Sequence, residues 1–335
     1  MVRASLLVFV VLVLAACGDR SGDPMGGGEL PSSISPRFAP PEGWTWGLIG
    51  STPQQRYGVS SPDRVPLAIV VIIPGYGEPA EVWFETAADL ITAGHTVWIL
   101  DRAGQGGSGR YVAPADLGFI PSFDVETAAL RTFLLSVVKP RSDDVVILLT
   151  HADGAAVGLE AVRNRLPIDG LVASSAELAQ QPARPLLSAI QRLDVPPPGW
   201  RPWSQDGPDD RALGRTHDEL RGRLRQAWMT SRPDLRLSGP SLGWRRAFET
   251  VSRTLVSAPH RLDRPILMIN ANHAASELCK AAPACSETEI SGAHSAMHLE
   301  ADKWRKPWLS AVSAFVSDRT AQRRTVAFSR TSAAP

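Results

Sequence analysis

The sequence predicts an α/β fold: a mostly parallel central sheet with helices on both faces and an inserted helical cap. Short runs of aliphatic and β-branched residues recur along residues 67–176, and segments with helical spacing separate them. Such runs are typical of strands that are buried on both faces of a parallel sheet. Residues 177–258 lack a strong run of this kind, and the pattern returns at residue 264. The interruption predicts the inserted lobe.

The first part of the pattern alternates strands with helices. Residues 67–73 (LAIVVII) predict a buried strand, and residues 84–94 predict a helix that ends at a glycine. Residues 95–101 predict a second strand, residues 122–138 a helix and residues 144–150 a third strand. A strand joined to the next by a helix is typical of a parallel sheet covered on both faces.

The second part continues the sheet. Residues 170–176 predict a fourth strand, followed by the lobe, and strands resume at residues 264–270 and near 286–292. A final helix is expected over about residues 300–317. The short connections between these elements suit one large globular domain that carries an insertion.

The predicted organisation and the composition agree with one globular body. Hydrophobic residues make up 44% of the 335 residues and charged residues 21%, which excludes a wholly disordered chain. Lys and Arg number 35 against 34 Asp and Glu, a balance that gives no support to a nucleic-acid surface. The predicted segments are a signal peptide (1–17), a flexible tether (18–43), the first part of the core (44–176), a helical cap (177–258), the second part of the core (259–318) and a disordered tail (319–335).

The first seventeen residues predict a processing signal. An apolar run over residues 6–14 is too short to cross a bilayer, which takes roughly 20 residues. The ending LAAC (14–17) resembles the lipobox of bacterial lipoproteins, although an ordinary secretory signal cut nearby is the alternative. The resemblance implies that acylated Cys17 becomes the mature N-terminus and attaches the protein to a membrane. We therefore expect a lipid-anchored protein of the bacterial cell envelope, facing the periplasm on the outer or inner membrane if the bacterium is Gram-negative.

The two other cysteines are close together in sequence. In an oxidising compartment, Cys279 and Cys285 could close a small disulfide loop, and free thiols are the alternative. A metal site would need more ligands at tighter spacing, and a nucleophilic cysteine would need a base nearby. We expect neither a metal nor a cofactor.

Several motifs identify a family. The first Gly-rich segment begins PGYGE (74–78), and the second reads DRAGQGGSGR (101–110). Within the predicted lobe, residues 216–248 contain THDEL and GPSLGW. In this order, the segments resemble the branch of the α/β-hydrolase superfamily that includes lysophospholipases, monoacylglycerol lipases and serine aminopeptidases. The resemblance covers about residues 44–317 and implies the α/β-hydrolase fold and acyl transfer to a serine.

The family places its nucleophilic serine on a tight turn of the form Gly-x-Ser-x-Gly, between a strand and a helix. In this chain THADGA (150–155) follows the third predicted strand and aligns with His-Ser-Met-Gly-Gly. Ala152 therefore takes the place of the nucleophile. A methyl group cannot attack a carbonyl carbon.

The acid and the base of the family also fall on other residue types. Relatives read Gln-Ala-x-x-Asp after the strand at 264–270, and here Ala274 stands at the position of the acid. Relatives read Gly-Ala-x-His-Glu further on, and here Ser295 stands at the position of the histidine. His294 precedes it by one residue and is a candidate displaced base.

The family binds the developing oxyanion with two backbone N–H groups. They belong to the residue after the nucleophile, here Asp153, and to the first Gly-rich loop, here the neighbourhood of Tyr76. A carboxylate at Asp153 would repel the developing negative charge, at a cost of about 1 kcal/mol or more in a pocket of low dielectric constant. This position opposes ester hydrolysis.

Two other chemistries have weaker support. Asp153 could act as a nucleophile, as aspartate does in haloalkane dehalogenases and epoxide hydrolases, but that shifts the turn by one residue and puts His151 where a small residue is needed. His294, His298 and Glu300 could bind a metal, since the two histidines have the spacing of ligands on a helix. The sequence does not supply a third ligand of known geometry. Local hydrogen bonding of the histidines is the simpler interpretation.

Further side chains are expected to have structural roles. Asp101 and Arg110 should brace the second Gly-rich loop. Large aromatic residues are more often core residues than ligand contacts, although some could line an acyl pocket beneath the lobe. The tryptophans concerned are Trp83, Trp98, Trp200, Trp203 and Trp244.

Two functions remain. The first is a non-catalytic, membrane-tethered protein that keeps the fold and an apolar pocket, with a lipid or an ester as its small-molecule partner. The second is an active hydrolase of lysophospholipids, monoacylglycerols or other carboxylic esters that uses displaced residues. The residue types at Ala152 and Ala274 favour the first function. Neither predicts a nucleic-acid partner, and the sequence does not indicate an oligomeric state.

Overall fold

The aliphatic runs form one sheet in the computed structural model, which describes residues 32–50, 52–179, 194–271 and 277–332, with side chains through residue 325. Residues 70–73, in the first predicted strand, are almost completely buried because both faces of the sheet are covered. The strands are β1 (Thr45–Ile49), β2 (Gln55–Ser60), β3 (Ile69–Ile73), β4 (Thr96–Leu100), β5 (Val146–His151), β6 (Gly170–Ser174), β7 (Ile266–Asn270) and β8 (Cys285–Glu289).

The strand order is β1-β2-β4-β3-β5-β6-β7-β8. Strands β4, β3, β5, β6, β7 and β8 pair in parallel, as predicted from the strand and helix alternation. Strand β2 pairs antiparallel with both β1 and β4, so the sheet is mostly parallel. Because the carboxyl ends of the parallel strands lie at one edge, the loops after β3, β5 and β7 come together there.

Helices cover both faces of the sheet. Alternate residues of β3 enter two separate cores: Val70 and Ile72 contribute to one, and Val71 and Ile73 to the other. The first core includes residues of α1 and α8, and the second includes residues of α2, α3 and α6. The helices are α1 (Phe84–Thr92), α2 (Phe123–Phe133), α3 (Gly154–Arg163), α4 (Glu219–Gly222), α5 (Leu224–Ser231), α6 (Leu242–Ser257), α7 (Glu277–Ala281) and α8 (Asp302–Ser332).

The predicted cap region contains α4, α5 and α6 between β6 and β7. The end of α6 packs against the second core through Val251 and Leu255. Cys279 in α7 and Cys285 at the start of β8 form a disulfide. The predicted signal peptide and most of the tether lie outside the described residues. Within the described part of the chain, no helix combines the length and the apolar character that crossing a membrane requires.

The end of the chain differs from the prediction. Helix α8 continues to Ser332, so the expected end of the helix near residue 317 and the expected disordered tail from residue 319 are wrong through residue 332. Contacts beyond residue 317 explain the extension. Thr320 is buried, and Arg323 donates to the carboxylate of Asp169 at 3.3 Å and to the carbonyl of Ser142 at 2.6 Å. The polar composition of this segment suits the exposed face of a docked helix.

Candidate functional site

The turn between β5 and α3 is tight and has a left-handed residue at its apex. Ala152 has a φ of +49°, a conformation that residues other than glycine rarely adopt. Its N–H donates to the carbonyl of Ser174 on the neighbouring strand β6, at 3.1 Å. Gly154 begins α3 where a Cβ atom would lie 2.5 Å from the carbonyl oxygen of Pro74. The chain therefore retains the backbone of a strand-to-helix nucleophile turn.

Ala152, and not Asp153, occupies the apex of this turn. Asp153 has a φ of −69° in the right-handed region and directly precedes the first residue of α3. The alternative in which the turn shifts by one residue, making Asp153 the nucleophile, therefore does not match the backbone. The side chain at the apex is a methyl group with no nucleophilic atom.

Asp153 uses its carboxylate within the protein. One oxygen, Oδ1, accepts the backbone N–H of Tyr76 at 2.7 Å, and the other, Oδ2, is paired with Arg102. Arg102 also binds Glu126 through two hydrogen bonds of 2.8 and 2.9 Å, and all three charged side chains are buried. Because burial removes these charges from water, each charge needs its partners to offset the cost of desolvation.

The contact with Asp153 occupies the backbone N–H of Tyr76. The resemblance assigns the neighbourhood of Tyr76 to the oxyanion hole, and there the Asp153 carboxylate already accepts the backbone N–H of Tyr76. Burial, and then the charge of Asp153, raise the pKa of the Tyr76 phenol, which remains protonated and donates to the carbonyl of Ser238 at 2.8 Å. A substrate oxygen would have to displace a charged acceptor.

The base candidates contact other residues of the site. His294 stacks on His217 with ring centroids 3.8 Å apart, and its backbone N–H donates to Glu300 at 2.7 Å. Ser295, at the family position of the base, accepts a hydrogen bond from His151 through its backbone carbonyl. Ala274, at the family position of the acid, lies outside the described residues.

His217 and Glu300 form a pair that the sequence analysis did not assign. Nδ1 of His217 lies 2.8 Å from Oε1 of Glu300, and Trp304 stacks on the same imidazole. Burial raises the pKa of Glu300, but hydrogen bonds from the backbone of His217 and His294, together with the His217 side chain, outweigh burial and lower it. His217 lies in the THDEL motif, but that motif alone does not reveal its partner.

A second group missed by the sequence analysis lies below the turn: Glu78, His151 and His298. All three residues are buried, and Nδ1 of His151 lies 2.9 Å from Oε1 of Glu78. His298 stacks on Trp83 with centroids 3.8 Å apart and its Nε2 lies 3.9 Å from the same carboxylate oxygen. The metal-ligand grouping considered from sequence is thus divided, since His298 lies with Glu78, whereas His294 lies with Glu300.

Burial and the neighbouring charges shift the pKa values of Glu78 and His151 in opposite directions. Burial raises the pKa of Glu78. The charges of His151 and His298 and the hydrogen bonds to the carboxylate lower it by a larger amount, so the net shift of this pKa is downward. Burial lowers the pKa of His151, and the Glu78 carboxylate raises it above the ordinary value of 6.5. The pKa of His298 lies well below 6.5, and burial is the largest cause of this shift.

Asp101 and Arg110 brace the Gly-rich loops, as expected from the sequence. Asp101 accepts the N–H groups of Ala80 and Gly107, at 2.9 and 3.0 Å, and pairs with buried Arg56 at 2.5 Å. Among the described residues, Arg110 donates to carbonyl groups of its own loop and of the cap region. Both side chains are committed to loop structure.

A cavity of about 750 Å³ lies within the cap region and reaches the first Gly-rich loop at Tyr76. Of the five tryptophans considered from sequence, Trp200 and Trp203 line it, whereas Trp83 and Trp244 are core residues and Trp98 packs on Tyr57 and Phe133. Four arginines and one aspartate contribute to the lining. Apolar or aromatic surface also comes from Tyr76, Met229 and Leu237, and the arginines are Arg201, Arg215, Arg225 and Arg245.

The strand order, the tight turn after β5 and the cap between β6 and β7 define an α/β-hydrolase fold. The sequence profile described as serine aminopeptidase, S33, matches residues 64–292, and the chain belongs to this family. This match confirms the superfamily and the branch that the motifs indicated.

Relatives agree with this assignment. The chain is 28% identical over 208 residues to "Lysophospholipase L2" of Escherichia coli strain K12, a match that covers 57% of this chain and 58% of that protein. A monoglyceride lipase from Saccharomyces cerevisiae, solved with a substrate analog, has a TM-score of 0.64 at 16% identity, covering 82% of this chain and 94% of that one. A monoacylglycerol lipase from Paleococcus ferrophilus has a TM-score of 0.54 at 17% identity, covering 82% and 99%. The two solved structures support the fold.

Proposed function

We propose that this chain is a non-catalytic, membrane-anchored member of its family that binds a lysophospholipid without hydrolysing it. The observation that carries the proposal is the occupied turn: Ala152 supplies a methyl group at the apex, and the Asp153 carboxylate accepts the Tyr76 N–H. Acyl transfer needs an activated nucleophile and free donors for the oxyanion. At this turn the nucleophilic atom is missing and the Tyr76 N–H is already occupied, so neither requirement is met.

The lining of the cavity supports a ligand that is both apolar and anionic. Trp200, Trp203, Met229 and Leu237 offer apolar surface to an acyl chain. The four arginines match a phosphate-bearing headgroup, because guanidinium groups bind phosphate through charge-assisted hydrogen bonds. Two of them, Arg215 and Arg225, also face the buried carboxylate of Asp210, at 3.9 and 3.1 Å, so Arg201 and Arg245 are better candidates for the headgroup.

The proposed anchor is the acylated side chain of Cys17. The sequence LAAC at residues 14–17, directly after a short apolar run, supports processing as a bacterial lipoprotein. The following Gly-, Ser- and Pro-rich residues suit a tether between the lipid and the folded body. A lipid-binding protein held at a membrane surface would have its ligand nearby.

Binding without turnover tests the proposal. The full chain is titrated with a lysophosphatidylglycerol below its micelle concentration, and calorimetry measures binding while mass spectrometry measures released fatty acid. We expect saturable binding and no fatty acid above a denatured control. The double variant Arg201→Gln/Arg245→Gln should bind at least about tenfold more weakly, since it loses two charge-assisted hydrogen bonds. Arg253→Gln, an exposed change on α6 outside the cavity lining, is the matched control.

Covalent labelling separates this proposal from an active hydrolase. Neither the chain nor its Ala152→Ser variant should react with a fluorophosphonate probe, because restoring the hydroxyl leaves the Asp153 carboxylate on the Tyr76 N–H and leaves Ser295 at the position of the base. Labelling of any serine in the unmodified chain, or release of fatty acid, would contradict the proposal. Labelling of the Ala152→Ser variant alone would show that an imidazole and an acid are already aligned with residue 152.

A further inference from the structure

Three buried side chains that no catalytic role explains converge below the turn. The ligand atoms offered by Glu78, His151 and His298 lie within 4.8 Å of one another, and each residue is no more than 4% exposed. The distances from Oε1 of Glu78 are 2.9 Å to Nδ1 of His151 and 3.9 Å to Nε2 of His298. Zinc bonds of 2.0–2.2 Å in tetrahedral geometry separate neighbouring ligand atoms by roughly 3.3 Å. The observed spacings lie on either side of that value.

Glu78 presents one oxygen to the two histidines because the other is already held. Its Oε2 accepts the backbone N–H of Gly75 at 2.9 Å and the indole N–H of Trp83 at 3.3 Å. These two donors fix the orientation of the carboxylate and leave Oε1 facing the imidazoles. Such hydrogen bonds to a ligand are typical of the surroundings of protein metal sites.

The contacts of His151 favour one tautomer. Its Nε2 lies 3.0 Å from the backbone carbonyl of Ser295, which can only accept, so Nε2 carries a proton. Nδ1 then presents a lone pair when the ring is neutral, and although it lies 2.9 Å from Glu78 it makes no well-directed hydrogen bond. A lone pair beside a carboxylate needs a cation between them, which is either a proton, as in an ion pair with Glu78, or a metal ion. A backbone carbonyl that binds the distal N–H is also the usual partner of a metal-binding histidine.

His298 has two buried ring nitrogens without hydrogen-bond partners among the described residues. Its ring is held parallel to Trp83, with an interplanar angle of 4°. A buried donor or acceptor that is left unpaired typically costs about 1–3 kcal/mol. Coordination through Nε2 would give this imidazole the partner that the described side chains do not supply.

We propose that Glu78, His151 and His298 bind one divalent transition-metal ion, Zn²⁺ in particular, with a fourth position left for water. Two imidazoles and one carboxylate form a donor set that suits Zn²⁺. The planes of the two imidazoles are inclined by 69°, which allows their in-plane lone pairs to converge. The ion would bind whether or not the protein hydrolyses esters.

The other group of ligand-type residues is less suited to a metal. His217, His294 and Glu300 also lie within 4.8 Å of one another. Their two imidazoles are stacked 3.8 Å apart with an interplanar angle of only 21°, so their lone pairs lie in two nearly parallel planes, which does not favour convergence on one ion. His217 already contacts the Glu300 carboxylate through Nδ1. This group therefore serves as an internal control.

Metal analysis of the full chain tests the proposal, with a purification tag that contains no histidine. After incubation with Zn²⁺ and removal of unbound metal, mass spectrometry should find about one zinc per chain. Co²⁺ in its place should give the visible bands of a four-coordinate site. His298→Leu keeps an apolar side chain against Trp83 and should lower the zinc affinity at least about tenfold. His217→Leu should retain full zinc occupancy.

A second variant keeps the test informative if His298→Leu folds poorly. Glu78→Gln preserves the shape of the carboxylate and should lose zinc while circular dichroism shows an unchanged fold. Absence of stoichiometric zinc in the unmodified chain would overturn the proposal and leave a shared proton between Glu78 and His151. Loss of zinc in His217→Leu but not in His298→Leu would also overturn it, since the metal would then lie at the other group.

Discussion

Asp153 follows the apex of the turn, and both of its carboxylate oxygens have partners inside the protein. One binds the Tyr76 N–H and the other pairs with Arg102. The sequence predicted Asp153 beside the oxyanion hole, because the turn aligns with the family pattern, and the structure brings its carboxylate to the N–H of Tyr76. It did not reveal Arg102, which lies 51 residues earlier in a loop whose arginines could equally have faced solvent. Burial and pairing of charges depend on the tertiary fold.

Removal of the Asp153 charge should destabilise the protein. Asp153→Asn can still accept the Tyr76 N–H, but it leaves buried Arg102 paired with Glu126 alone. Breaking a buried ion pair typically costs about 3 kcal/mol or more, because the remaining charge stays desolvated. Urea denaturation should therefore show a free energy of unfolding lower by about that amount.

Asp144→Asn is the matched control for this change. Asp144 also accepts a backbone N–H and a guanidinium group, from Arg141, but at an exposed turn. Its substitution should leave the urea midpoint almost unchanged, since exposed ion pairs contribute little. Equal effects of the two substitutions would mean that the Arg102 pair is effectively solvated.

The candidate site also shows why spacing in sequence could not identify its buried groups. Ala152 was predicted at the apex because the turn has a local pattern. Glu78, His151 and His298 come from three loops or strand ends that meet only in the folded sheet. Glu78 and His151 are isolated in their own segments, and the spacing of His298 pointed to His294 instead, so no sequence pattern indicated this cluster.

At the scale of elements, aliphatic runs allowed the prediction of the parallel strands. Strands β1 and β2 were missed because their sequences, TWGLI and QRYGVS, contain polar residues and glycine. They pair antiparallel at the edge of the sheet, and β1 is only partly buried, so no continuous apolar run is required. Helix α8 was predicted too short because the continuation past residue 317 is accompanied by a contact of Arg323 with Asp169, which the local sequence does not reveal.

The junction of β5 and α3 depends on the absence of a side chain at Gly154. A Cβ atom there would lie 2.5 Å from the carbonyl oxygen of Pro74 and 2.9 Å from that of Ile73. Gly154→Ala should lower the free energy of unfolding by about 1–3 kcal/mol, because the helix must shift away from β3. Thermal or urea denaturation measures the effect.

Gly239→Ala is the control for the added methyl group. Its Cβ atom would lie 3.4 Å from the nearest atom of Trp200, an ordinary contact, so little change in the denaturation midpoint is expected. A Gly154→Ala protein as stable as this control would show that the turn has room that the close carbonyl contacts do not indicate.

At the scale of the whole molecule, one carboxylate connects distant parts of the chain. Glu85 in α1 binds Arg221 of α4 through two hydrogen bonds of 2.7 and 2.8 Å. It also binds Arg37 near the N-terminal end of the described body, and Arg305 of α8 lies 3.8 Å away. The core, the cap and the final helix therefore share one ionised group.

This arrangement predicts a specific dependence of stability on pH. Burial raises the pKa of Glu85, but hydrogen bonding by Arg221 and the charges of Arg305 and Arg221 outweigh it and hold the pKa below the ordinary value of 4.5. A carboxyl group whose pKa is lowered on folding stabilises the folded state above its unfolded pKa, and this contribution is lost as pH falls through the folded pKa. Glu85→Gln should thus be less stable than the unmodified chain at neutral pH, with the difference shrinking below about pH 4.5.

Urea midpoints measured across an acid pH series provide the test, with Glu219→Gln as the matched control. Glu219 is paired with Arg223, but both side chains are more than half exposed, so its substitution should displace the curve little at any pH. The informative quantity is the difference between the Glu85→Gln and unmodified curves, because other acids shared by both proteins cancel. Parallel curves would mean that Glu85 has the same proton affinity in the folded and unfolded states, and that its arginine contacts do not join the cap and α8 to the core energetically.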